Sequence, residues 1–93
     1  MAKNKQKHID LKVTSTGFKY RLDPDRLDNY ELIETLAEVD KNPLLMPKLI
    51  TLLLGKKQSD ALKEHVRNKQ GVVPMSKLQA EIQNIFENQQ VKN

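Results

Sequence analysis

The stretch LLMPKLITLLLG, residues 44–55, decides how the rest of this chain folds. Eight of the eleven residues from Leu44 to Leu54 are apolar. Leu45, Leu49 and Leu52 fall on one helical stripe, and Met46, Ile50 and Leu53 on the next. Pro47 lands in the first turn, where a missing amide donor costs least. Gly55 then suits a helix end, because glycine reaches positive φ without a steric penalty. A helix apolar over most of its circumference either lies at the centre of a fold or keeps one side for a partner. At 93 residues and 10.7 kDa, with 38% hydrophobic residues, the chain has material for one modest core.

Working outward from that helix, the upstream sequence predicts a lid. Ile9, Leu11 and Val13 alternate with Asp10, Lys12 and Thr14, and Phe18, Tyr20 and Leu22 alternate with Lys19 and Arg21. Period two predicts two strands with both apolar sets facing inward. Ser15-Thr16-Gly17 forms the turn between them. A lone hairpin is barely stable in water, so helices must cover its greasy face. Asp23-Pro24 ends the second strand. Asp28 and Glu31 fit a capping box that opens a helix running to about Asp40. Tyr30, Ile33 and Ala37 are its expected inner stripe, with Leu32, Leu36 and Val39 beside them, and Glu31, Glu34 and Glu38 face solvent.

Downstream, residues 56–68 predict a third helix with Ala61, Leu62, His65 and Val66 inside. Gln70-Gly71 breaks it, and Val72-Val73-Pro74 crosses back as an extended segment. Ser76 and Gln79 fit a capping box for the last helix, whose stripe is Leu78, Ile82, Ile85 and Phe86. The expectation is class α+β, a β-hairpin followed by four helices. It divides the chain into a basic leader at 1–7, one domain at 8–87 and a frayed polar tail at 88–93.

The formal charge of +4 conceals segregated blocks. Residues 1–22 carry +5, residues 23–40 carry −6, residues 41–77 carry +6 and the remainder −1. A nucleic-acid binder concentrates positive charge on one continuous face, whereas here an acidic segment separates two basic ones. That pattern suits intramolecular pairing or a protein partner of mixed charge at least as well. A small nucleic-acid-binding protein is the alternative, resting on Lys3, Lys5, Lys7, Lys12, Lys19 and Arg21 and on Lys56, Lys57, Lys63, Arg67 and Lys69.

Catalytic chemistry finds little to build on. There is no Cys, so a disulfide framework, a thiolate metal site and a cysteine nucleophile are all excluded. His8 and His65 are far apart, and a metal needs three or four converging ligands. Gly55-Lys56-Lys57 lacks the upstream glycine and the following Ser or Thr of a phosphate-binding loop. No enzymatic activity and no cofactor are expected, and no apolar run is long enough to span a bilayer.

Residues 20–86 resemble the tail assembly chaperones of long-tailed bacteriophages and prophages of Gram-positive hosts. The resemblance rests on an order of pieces: DPDRLDNYELIETLA at 23–37, LITLLLG at 49–55, ALKEH at 61–65 and GVVP at 71–74. It implies a non-enzymatic factor in the host cytoplasm, absent from the finished virion. Such a factor binds the tape-measure protein during tail morphogenesis, with tail-tube protein as a second expected client. A minor structural tail or connector protein is a further alternative. An apolar helix and an acidic face give such a client a surface, expected at Leu45, Leu49 and Leu53 with Glu31, Glu34 and Glu38. Apolar surface awaiting a client also tends to pair with itself, so a homo-oligomer is expected.

Overall fold

A computed structural model describes residues 9–90. The expected leader at 1–7, His8 and residues 91–93 lie outside the described residues. Strands β1 (Lys12–Val13) and β2 (Lys19–Tyr20) form an antiparallel hairpin. Helices α1 (Pro24–Leu27), α2 (Tyr30–Val39), α3 (Met46–Val66) and α4 (Met75–Gln90) follow, with a 3-10 turn at Pro43–Leu45 leading into α3. The fold is α+β: a hairpin and four helices.

The first arm of α3 holds the centre. Leu49, Ile50, Leu53 and Leu54 are buried with Leu32 of α2, Leu62 further along α3, and Ile82 and Ile85 of α4. Burying a side chain of this size stabilises the fold by roughly 1.5–3 kcal/mol each. Gly55 breaks α3 into arms at 46–54 and 56–66, with φ 82° and ψ 165°, a backbone state essentially confined to glycine. The Arg26 guanidinium lies where a side chain would start, its Nη2 2.7 Å from an added Cβ. Its Nη1 donates to the Leu52 carbonyl at 3.5 Å. A cation from α1 therefore sits at the C-terminal end of the first arm, where helix carbonyls lack partners.

Four local expectations need correction. Asn29, and not Asp28, caps α2: its Oδ1 accepts from the Glu31 amide at 3.0 Å, while Asp28 closes α1. The buried side of α2 is Leu32, Thr35 and Val39, so Tyr30, Ile33 and Ala37 face outward. Residue 76 does not cap α4, because the Pro74 carbonyl accepts from the Lys77 and Leu78 amides and Ser76 falls inside the first turn. Helix α4 extends to Gln90, past the expected boundary at 88, and the Asn88 side-chain amide donates to the Tyr20 hydroxyl at 3.0 Å.

The hairpin also inverts one face. Lys12 pairs with Tyr20 and Val13 with Lys19. Phe18, Tyr20 and Leu22 are buried as expected, but Leu11 and Val13 are 51% and 52% exposed and Thr14 is buried in their place. The turn at 15–17 sets this register: three linking residues place Thr14 opposite Phe18, and every later pair inherits the phase. Thr14 tolerates burial because its Oγ1 accepts from the Phe18 amide at 3.1 Å.

Helical side chains close both outer edges of the hairpin. Asn84 Oδ1 accepts from the Ser15 amide at 2.7 Å, and Asn88 Nδ2 donates to the Val13 carbonyl at 3.4 Å. On the other edge Gln58 accepts from the Arg21 amide at 2.7 Å and donates to the Arg21 carbonyl at 2.9 Å. These primary amides supply the donors and acceptors that a neighbouring strand would otherwise offer.

Candidate functional site

Helices α2 and α4 both pack on α3 but scarcely touch each other. Between them runs an open groove of about 580 Å³. Leu49, Met46, Val39 and Ile82 form its floor, and Leu36 and Phe86 its half-buried walls. Asp40 marks one lip, and Gln79 and Gln83 the other. Gln83 Nε2 also donates to the Glu87 carboxylate at 3.3 Å, so that lip carries an acid as well.

The groove continues onto the outer face of α2. Rows four residues apart lie side by side on a helix, so Ile33 and Ala37 flank the row of Leu36 and Asp40. The next row holds Tyr30, Glu34 and Glu38. Tyr30 is 74% exposed and Ile33 51% exposed, an unusual placement for side chains this large. The surface thus reads, from α4 outward, as an apolar trough, an apolar shoulder at Ile33 and Tyr30, and an acidic border at Glu34 and Glu38. Glu31 is exposed too, on the far side of that border.

The residues expected to bind a partner are only partly brought together. Glu31, Glu34 and Glu38 are exposed on α2 as read from the sequence. Leu53 is fully buried and takes no part in any surface, and Leu49 reaches the groove only as its floor. Leu45 is half-buried at the entry to α3. Periodicity located the apolar helix but not its buried side, because a helix apolar nearly all round carries no phase. Tyr30 and Ile33 were missed for the converse reason. Their i, i+3 spacing imitates a core stripe, and the signal against it was the competing row of Leu32, Leu36 and Val39, equally apolar and nearer the adjacent core helix.

Electrostatics sharpen the contrast with the basic segments. Lys56 and Lys63 pair with Asp60 at 2.8 and 3.2 Å, and Arg67 Nη2 pairs with Glu64 at 2.7 Å. The hydrogen bond from Lys56, helped by Lys63, holds the Asp60 carboxyl below its ordinary value, and Arg67 does the same for Glu64. These pairs are solvent-exposed and contribute little stability. Their consequence is that Lys56, Lys63 and Arg67 already face carboxylates on their own helix.

Compared with family models, with curated proteins and with solved structures, the chain finds no significant match in any of the three. The described residues contain no group of three or more His, Cys, Asp or Glu side chains placed to hold a metal ion. No helix among them is long and apolar enough to cross a membrane.

Proposed function

We propose that this chain is a non-enzymatic assembly factor of the tail assembly chaperone kind. Its client is a long helical protein such as the tape-measure protein, held in the host cytoplasm before the tail tube encloses it. The observation that carries this reading is the apolar groove between α2 and α4, with its exposed shoulder at Ile33 and Tyr30 and its acidic border. An amphipathic helix lays apolar side chains into such a trough at positions i, i+3, i+4 and i+7. Basic residues flanking that stripe would meet Asp40, Glu34 and Glu38, setting orientation and on-rate more than affinity.

The test exploits the exposure of the shoulder. Ile33→Asp with Tyr30→Asp removes apolar surface without touching the core, so the fold should survive, as circular dichroism would report. Capture of a co-expressed tape-measure protein should fall by about tenfold or more, the range of a lost anchor residue. Full capture by the folded double variant would remove the groove from the mechanism. Mass spectrometry of purified particles separates the chaperone, absent from the virion, from a minor structural subunit retained in it.

A further inference from the structure

A second groove opens on the opposite flank of α4. It has a volume of about 400 Å³ and lies between the end of α3, the start of α4 and the hairpin turn. At its base is Glu81, a carboxylate only 4% exposed. Buried carboxylates need partners on both oxygens, since an orphaned acceptor forfeits its hydration. Oε2 accepts from the Thr16 hydroxyl. Oε1 is buried and has no hydrogen-bond partner among the described residues.

With the Glu81 carboxylate as acceptor, the surrounding hydrogen bonds take one consistent polarity. Thr14 Oγ1 accepts from the Phe18 amide at 3.1 Å and lies 3.2 Å from Thr16 Oγ1. His65 Nε2 lies 2.9 Å from the same Thr16 oxygen. Thr16 has a single proton, and it goes to Glu81. The Thr14 hydroxyl and the His65 Nε2–H must therefore both donate to Thr16 Oγ1. Every donor in the network is thereby committed, and none is left for Oε1.

We propose that this groove is a binding site for a primary ammonium group, which donates to Oε1 of Glu81. Val66 and Ala80 line the approach and offer apolar contact to an aliphatic stem. The head meets a single buried acceptor whose charge-assisted bond is the strongest the site can make. A metal ion fits poorly, because one free oxygen does not make a coordination shell. Of the cations nearby, Arg67 is already spent on Glu64 and on the Gly71 carbonyl, which it reaches at 2.7 Å. Lys77 lies on the groove wall one helical turn before Glu81, and is the internal competitor for the same oxygen. A free amine and a lysine side chain of a partner protein present the same ammonium chemistry to this oxygen.

The full chain, labelled with ¹⁵N, would be titrated with n-butylammonium chloride and with a capped Gly-Lys-Gly peptide. Tetramethylammonium chloride at matched ionic strength serves as the control, being a cation without an N–H donor. Saturable shifts of the Thr16, His65 and Glu81 amides with butylammonium or peptide, and none with the control, are the expected result. Tighter binding of the peptide assigns the site to a protein lysine, and equal binding assigns it to amines in general. Glu81→Gln keeps the shape, removes the charge and should weaken binding by about tenfold or more. Lys77→Met should leave binding intact or tighten it. Equal response to tetramethylammonium overturns the proposal without any substitution. Binding that emerges only in Lys77→Met also overturns it, since Lys77 is then the natural occupant.

Discussion

The two flanks of α4 behave as different surfaces although one buried stripe, Ile82 and Ile85, runs between them. Toward the hairpin the helix presents Glu81, Asn84 and Asn88, polar groups that reach specific atoms of Thr16, Ser15, Val13 and Tyr20. Toward α2 it presents Gln79, Gln83 and Phe86 to an open trough. The first flank fixes one geometry, because hydrogen bonds are directional and weaken when displaced. The second is held by non-directional contacts and accepts any apolar shape of the right width. A small domain can thus hold itself together by directional bonds on one side of a helix and keep an adaptable apolar surface on the other.

Perturbations should separate these roles. The largest effect is expected from Leu53→Ala in the shared core, which should cost about 2–5 kcal/mol in urea unfolding and damage both flanks together. Gly55→Ala comes next at about 1–3 kcal/mol, since alanine would enter a glycine-only conformation against Arg26. The pair Asn84→Ala and Asn88→Ala should cost about 1 kcal/mol each and speed hydrogen exchange at the Ser15 amide. Client capture by the folded pair should be unchanged; a parallel loss of capture would show the flanks to be coupled.

The smallest effect concerns the exposed pairs on α3. Asp60 and Glu64 titrate below their ordinary values of 3.8 and 4.5, so the folded chain binds fewer protons there than the unfolded one. Their contribution is present above those values and is lost as pH falls through the lower folded ones. Asp60→Asn with Glu64→Gln should flatten that part of a stability–pH curve only slightly, and added salt should mimic it.

Much of the fold was legible because strong local signals agree. The apolar run at 44–54, the stop at Gly55 and the stripe Leu78, Ile82 and Ile85 all survive in place. Helix ends were read less well. Asp28 and Asn29 are both competent caps, and only the preceding turn of α1 decides which is free to act. Strand faces failed where alternation is ambiguous: Lys12 and Thr14 alternate as regularly as Leu11 and Val13, and turn length broke the tie. The groove was invisible because it depends on the spacing of α2 and α4 across α3. Glu81 is not legible in the sequence, because a glutamate in a polar helix carries no sign that it is buried until the hairpin lies over it.

The amides that seal the hairpin come from far along the chain: Gln58 is 37 residues from Arg21, Asn84 is 69 from Ser15, and Asn88 is 75 from Val13. During synthesis the hairpin segment leaves the ribosome before the helices that seal it, and its edges stay unsealed until Asn84 and Asn88 have emerged. Helices α2 and α3, built on short-range contacts, can assemble early, and loop-closure entropy delays the seating of the hairpin. The hairpin is therefore translated before the helices but locked after them, and a nascent chain stalled before residue 84 carries an open strand edge for other chains to find.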